Sequence, residues 1–182
     1  LVISSWHQGR ARPQRVFGPP GTRAFVAGTM ALWATERAQR ISHEKRASLA
    51  AFEMDVTEIG AGTVWDEGDV RVTAVAVAHQ PVRHAFGFVF EADGHKIAFS
   101  GDTAYCPALI EAAKGADALV HECFLHGEMP VVPGVRSAET VAAVASYHTP
   151  SDQVGKVAQA AGVRALILNH FVPTRFDRHR LM

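Results

Sequence analysis

The sequence predicts an α/β fold, and three observations carry that prediction. From residue 70 onward, β-branched or apolar runs alternate with helix-like runs bounded by Gly, Pro or capping residues. The chain has 182 residues, 48% hydrophobic and 20% charged, enough to bury a core without disulfide staples. Its two cysteines, Cys106 and Cys123, exclude a disulfide framework and an all-cysteine zinc site. The same composition excludes a disordered, collagen-like or coiled-coil chain. No run of about 18 apolar residues occurs, so no membrane-spanning helix and no membrane partner are expected.

The elements follow in order. Residues 1–17 read as a short apolar start, a basic turn and a strand at 15–17. Gly18-Pro19-Pro20-Gly21-Thr22 is a rigid turn, and a helix is expected over 22–38. It looks like the opening of a nucleotide-binding loop, but Arg23-Ala24-Phe25 stands where Gly-Lys-Ser/Thr would grip phosphate. The segment 29–33 reads as a core face. Short strands are expected at 56–59 and 63–65, with a turn at 66–69. The run 70–78 is a buried strand leading to His79. Phe86, Phe88 and Phe90 alternate with Gly87, Val89 and Glu91, the pattern of a half-buried strand. Asp93-Gly94 is a tight hairpin turn, because glycine accepts the positive φ such a turn needs. The return strand is 96–100, broken by Gly101-Asp102-Thr103. Pro107 opens a helix that stops at Gly115. A strand is expected at 117–121 and a helix over 137–146 capped by Ser137. A second helix ends at Gly162, with Thr149 as its cap and Pro150 at its first position. The last strand is 164–169, ending at His170.

Charge is balanced overall but unevenly placed. Residues 1–46 carry eight Lys/Arg against two Glu, a net of +6, and residues 47–182 carry ten against sixteen, a net of −6. A basic face that meets phosphate and a plain solvated face both fit this distribution. Ten histidines against two cysteines mean that any metal site here is built from His and carboxylate.

The chemistry collects at strand ends. His79, Asp102, the His121-Glu122 pair and His170 each follow a separate apolar run, and α/β sheets bind ligands outside the carboxyl ends of their strands. Neutral imidazole and carboxylate suit Zn2+. A carboxylate also bridges two metals in two-metal hydrolases, and Asp102, with a glycine before it, is the natural bridge. His148 lies between two expected helices, placed to act as a general acid or to orient a substrate oxygen, with Glu122 setting its tautomer.

Phe99-Ser100-Gly101-Asp102-Thr103, His121-Glu122-Cys123-Phe124, Tyr147-His148-Thr149 and Leu166-Ile167-Leu168-Asn169-His170 occur in an order that resembles the metallo-β-lactamase-fold hydrolases. The similarity is to the ribonuclease Z and arylsulfatase-like branch, and it covers nearly the whole chain. It implies an αββα sandwich, so the doubly wound reading of the second half describes only half the architecture. Carried over by residue, His79 resembles a ligand of one metal, Asp102 the bridging ligand and His170 a ligand of the other. His148 and Glu122 resemble the proton-transfer pair of the ribonuclease Z branch, and Asp102 counts with them as a catalytic residue. The resemblance implies two Zn2+ per intact site, a metal-bridging hydroxide that attacks a phosphodiester, precursor tRNA as substrate, and a homodimer.

The family's main motif, His-x-His-x-Asp-His, is absent from the 182 residues. It supplies four of seven ligands in the family, so the expectation is one domain over 1–182, incomplete at the N-terminus and at the C-terminus after 178–182. Such a chain is expected to hold zinc weakly and to be nearly inactive. Two other readings stay open: an arylsulfatase-like, lactonase or other small-ester hydrolase of the same fold, and a non-catalytic metal-poor relative. The tight turn at 93–94, where ribonuclease Z proteins insert a long tRNA-clamping arm, favours the small-ester reading. Contact with RNA would weaken with salt. Without a visible targeting segment, the cytoplasm is the expected location.

Overall fold

Two units, Leu1–Ile59 and Gly60–Met182, divide the chain in the computed structural model, which describes residues 2–45, 49–125 and 127–175. The expectation about residues 178–182 lies outside the described residues. The first unit holds α1 (Val2–His7), β1 (Gln14–Gly18), α2 (Thr22–Leu32), α3 (Ala34–Glu44), a 3-10 turn (Ala50–Phe52) and β2 (Met54–Glu58). β1 and β2 pair in parallel, Val16 opposite Val56. Trp6, Ala51 and Phe52 form its small core, with Ile3, Met30 and Ile41 packed against it.

The helix expected over 22–38 is two helices, because the backbone leaves helical geometry at Trp33 (φ −96°, ψ 8°). The apolar start of the chain, read without an element, is α1. The segment 29–33 is a core face only in part: Met30 packs on the core, whereas Leu32 is 85% exposed. The Gly18–Thr22 turn is closed by the chain itself. Glu58 Oε1 accepts hydrogen bonds from the backbone N–H of Gly21 (2.9 Å) and Arg23 (3.0 Å) at the start of α2. Those two donors hold the Glu58 carboxyl below its usual range.

The second unit is built on one six-stranded sheet. Its elements are β3 (Gly62–Glu67), β4 (Val70–Ala76), β5 (Phe86–Ala92), β6 (His95–Phe99), α4 (Pro107–Ala112), β7 (Ala118–Phe124), α5 (Ala138–Ser146), α6 (Ser151–Ala161) and β8 (Leu166–Val172). The strand order is β3-β4-β5-β6-β7-β8. β3 to β6 run antiparallel, and β6, β7 and β8 are parallel. The parallel part follows from the helices between those strands, since a crossover is needed to return a strand in the same direction. Asp93 (φ 51°) and Gly94 (φ 75°) make the β5–β6 turn, as the sequence predicts.

α4 and α6 cover one face of this sheet. Val75, Val89, Ala98 and Leu119 from the strands meet Ile110, Ala113, Val157, Ala158 and Ala161 in one core. This is a sheet with its helical layer, one half of the sandwich that the resemblance implies. The phenylalanines of β5 lie on the opposite face: Phe90, Ile97, Phe99 and Ile167 are exposed there. A trough of about 440 Å³ runs along that face past Phe86, Phe88, Phe99 and Val120 to Asp102 and His170. Gly87, Val89 and Ala98 face the helices instead.

Candidate active site

The loops and strand ends on one rim of the six-stranded sheet bring the expected residues together. Each is placed by a local cause. Asp102 follows Gly101, whose φ of +60° turns the chain sharply after β6. A Cβ at Gly101 would meet the Phe86 carbonyl oxygen at 2.5 Å, so only glycine fits this turn. His170 is placed by a bulge. Glu122 pairs with Asn169 and Cys123 with Phe171, which leaves His170 as the extra residue of β8, at φ 39°. A bulge re-aims the side chain of its extra residue, and here it turns His170 toward Asp102, Nδ1 3.4 Å from Oδ1.

Glu122 and His148 form the buried centre. Glu122 is 1% exposed and His148 6%. Glu122 Oε1 accepts from Thr149 N–H (2.8 Å), His148 Nδ1 (3.1 Å) and Thr103 N–H (3.3 Å). Glu122 Oε2 is buried without a hydrogen-bond partner. The Glu122 N–H in turn donates to Ser100 Oγ (3.0 Å). The His148 ring stacks with Phe124 (6.3 Å between centroids) and with His170 (5.8 Å). His79 joins from the loop after β4: its Nδ1 donates to the Tyr147 carbonyl (3.0 Å), and its ring lies 5.2 Å from that of His148.

The structure therefore gathers His79, Asp102, Glu122, His148 and His170 around one rim. The tightest group with metal-ligand chemistry among the described residues is Glu122, His148 and His170, whose ligand atoms lie within 4.8 Å of one another. Of the three residues expected as metal ligands, only His170 belongs to that group; Asp102 reaches it through His170, and His79 through His148.

Three local expectations are corrected. His121 and Glu122 lie inside β7, which runs on to Phe124, and His170 lies inside β8, which runs on to Val172. His121 also points away from the pair it was read with. It is 1% exposed, its Nδ1 donates to the Glu122 carbonyl (2.7 Å), and burial pushes its pKa below the usual value. Thr149 does not cap α6. Its N–H goes to Glu122 and its hydroxyl to the Thr103 carbonyl (2.7 Å), and Pro150 takes the cap position. The Ser137 cap on α5 is as expected, its Oγ accepting from Thr140 N–H.

The residues that sequence reasoning passed over are the neutral ones. Ser100, Thr103 and Thr149 are all fully buried and all bond within the site. Their signal was present as hydroxyl residues beside Asp102 and His148, but short polar residues there read equally well as turn and cap residues.

The donor set fits a borderline divalent cation. It offers imidazole nitrogen and carboxylate oxygen, and an orphaned buried oxygen on Glu122 faces no protein donor. His79 and His148 each spend Nδ1 on a carbonyl or carboxylate, which leaves Nε2 free, as metal-ligating histidines commonly do. Burial, with the Glu122 charge, pushes the Cys123 thiol up to about 11.

Comparisons with known proteins bear on the family and the fold. A ribonuclease Z of Mycobacterium tuberculosis (strain ATCC 25177 / H37Ra) is 32% identical over 176 residues, 95% of this chain and 63% of the relative. The structure of the metallo-beta-lactamase fold protein YhfI from Bacillus subtilis superposes with a TM-score of 0.60 at 18% identity, over 99% of this chain and 60% of that one. The short form of human tRNase Z superposes with a TM-score of 0.61 at 21% identity, over 87% and 60%. The chain thus spans about three-fifths of the length of each. A family profile described as a beta-lactamase superfamily domain matches residues 7–171, across both units. With a mixed sheet layered by helices and a rim of His and carboxylate groups, the chain belongs to the beta-lactamase superfamily, in its ribonuclease Z-like branch.

Proposed function

We propose that this chain carries part of the active site of a metal-dependent phosphodiesterase that cleaves RNA in the manner of ribonuclease Z. The observation that carries the reading is the buried Glu122–His148 pair, set between His79 and His170. His79, Asp102 and His170, the ligands that the family resemblance implies, would hold zinc, with Glu122 and His148 within 4.8 Å of His170. Bound zinc supplies Lewis acidity toward phosphate oxygens and lowers the pKa of bound water.

The chain's own residues do the rest. Glu122 accepts the Nδ1 proton of His148 and fixes that tautomer, so Nε2 is the ring nitrogen that faces substrate. Protonated at Nε2, His148 donates to the leaving oxygen, and the Glu122 carboxylate balances the imidazolium charge until the proton is passed on. Stacking against Phe124 holds the imidazole plane during this transfer. Asp102, beside His170, would balance the charge of a cation held with that ring. The basic first 46 residues support contact with a polyanion.

One observation favours a second reading. The β5–β6 hairpin closes on Asp93-Gly94, leaving no insertion there for the arm that clamps tRNA. A small ester or phosphodiester substrate suits that closed turn. Cleavage of a precursor tRNA and of bis(p-nitrophenyl) phosphate, each with added Zn2+ and with chelator, separates the two. Zinc-dependent 3′ cleavage of the precursor that is lost in His148→Ala supports the RNA reading. Turnover of the small ester alone supports the second. Absence of both, in a protein that also carries His-x-His-x-Asp-His, gives the lead to a non-catalytic relative.

A further inference from the structure

We propose that Thr103 is a positioning residue: its hydroxyl and its backbone hold the segments carrying His79, Glu122 and His148 in one register. This rests on the reading of those residues as a catalytic site.

Thr103 is 0% exposed, and each of its polar groups is committed to a different site segment. Its N–H donates to Glu122 Oε1 at 3.3 Å. Its carbonyl accepts from the Thr149 hydroxyl at 2.7 Å, and Thr149 directly follows His148. Its Oγ1 accepts from the Ala78 N–H at 3.0 Å, and Ala78 directly precedes His79. The hydroxyl proton is spent on the Ala104 carbonyl at 2.7 Å, which leaves the Oγ1 lone pairs to face Ala78. The Ala104 N–H returns to the Ala78 carbonyl at 2.8 Å, so the two loops are tied by a reciprocal pair of bonds.

The consequence lies at His79. Its Nδ1 reaches the Tyr147 carbonyl at 3.0 Å only while the backbone at Ala78 stays where Thr103 holds it. Valine matches threonine in shape but offers no acceptor. Thr103→Val would leave the Ala78 N–H without a partner and free the loop to shift, taking the His79 ring from Tyr147 and His148. A displacement of about 1 Å in such a group costs on the order of a hundredfold in rate.

The test compares the parent, Thr103→Val and Thr103→Ser. The first readout needs no substrate: long-range 1H–15N spectra of the histidine rings and exchange of the Ala78 amide. The parent is expected to show His79 protonated at Nδ1 and a protected Ala78 amide. Thr103→Ser keeps both, and Thr103→Val loses both. The second readout is kcat against KM for whichever phosphodiester the parent cleaves: kcat should fall about a hundredfold in Thr103→Val, with KM little changed and recovery in Thr103→Ser. An unprotected Ala78 amide in the parent overturns the proposal without any variant. So does Thr103→Val with an unchanged His79 spectrum, or Thr103→Ser as damaged as Thr103→Val. Should a parent that also carries His-x-His-x-Asp-His cleave nothing, the catalytic reading fails, while the spectra still decide whether Thr103 positions His79.

Discussion

At the scale of single residues, Glu122 concentrates the most consequence. One carboxylate oxygen takes three donors in a buried setting, and the other takes none. Glu122→Ala strands two backbone N–H groups and an imidazole. Each unmet buried donor costs about 1–3 kcal/mol, so a loss of about 3 kcal/mol or more is expected in urea unfolding. Glu122→Gln keeps an acceptor oxygen and removes the charge. It should hold most of the stability while slowing cleavage by about 10²–10⁴, the usual worth of a proton-transfer group. Equal stability loss in both variants would show that the charge itself, not the acceptor, holds the rim together.

His121 makes a pH prediction of definite sign. Burial depresses its pKa in the folded chain, against the opposing pull of its bond to the Glu122 carbonyl. The unfolded chain takes up this proton near pH 6.5, and the folded chain does so only at lower pH. Stability is therefore full above about pH 6.5 and is lost as pH falls below it. His121→Gln removes that contribution. Urea midpoints at pH 7.5 and 5.5 should differ more in the parent than in the variant, and an equal pH dependence would refute the assignment.

At the scale of elements, the two faces of the six-stranded sheet behave differently. Leu119 is 0% exposed in the core under α4 and α6. Leu119→Ala should cost about 2–5 kcal/mol, the transfer term plus a cavity. Phe90 is as apolar but lies on the opposite face, 41% exposed. Phe90→Ser in this chain should cost about 1 kcal/mol or less, near the range of surface changes. Thermal or urea unfolding of both variants checks the pair. A cost at Phe90 near that at Leu119 would mean that the aromatic face is covered in solution. The bulge in β8 belongs to this scale too. A single extra residue puts His170, rather than Asn169, beside Asp102.

At the scale of the molecule, the ligand inventory sets the expected metal affinity. His-x-His-x-Asp-His does not occur in the 182 residues, and the tightest described cluster offers three ligand groups within 4.8 Å. Isothermal titration of the chain with Zn2+ should give weak binding with no second tight site. Two tight sites would overturn the assignment of His79, Asp102 and His170 as an incomplete set. No helix among the described residues is long and apolar enough to cross a membrane.

Neighbouring residues alone specify the local elements from residue 70 onward. Period-2 strands, the Asp93-Gly94 turn, Pro107 at a helix start and the Ser137 cap are signals confined to a few neighbouring residues. His79, Asp102, Glu122 and His170 are marked by following separate apolar runs, and His148 by its place between two helices and by the family resemblance. What neighbouring residues do not determine depends on partners distant in the chain. The alternation in β5 reads as a half-buried strand without saying which side meets the helices, and helix packing placed Val89 and Gly87 inward. Thr149 read as a helix cap by its position, yet Glu122, 27 residues away, and Thr103, 46 residues away, claimed its polar groups. Strand register decided His170, since only pairing with β7 creates the bulge that turns it. Strand alternation separated His121 from Glu122, adjacent and equally buried residues whose side chains a strand sends to opposite faces. Local preference is written in adjacent residues, whereas the choice of hydrogen-bond partner and of buried face is made when the sheet assembles.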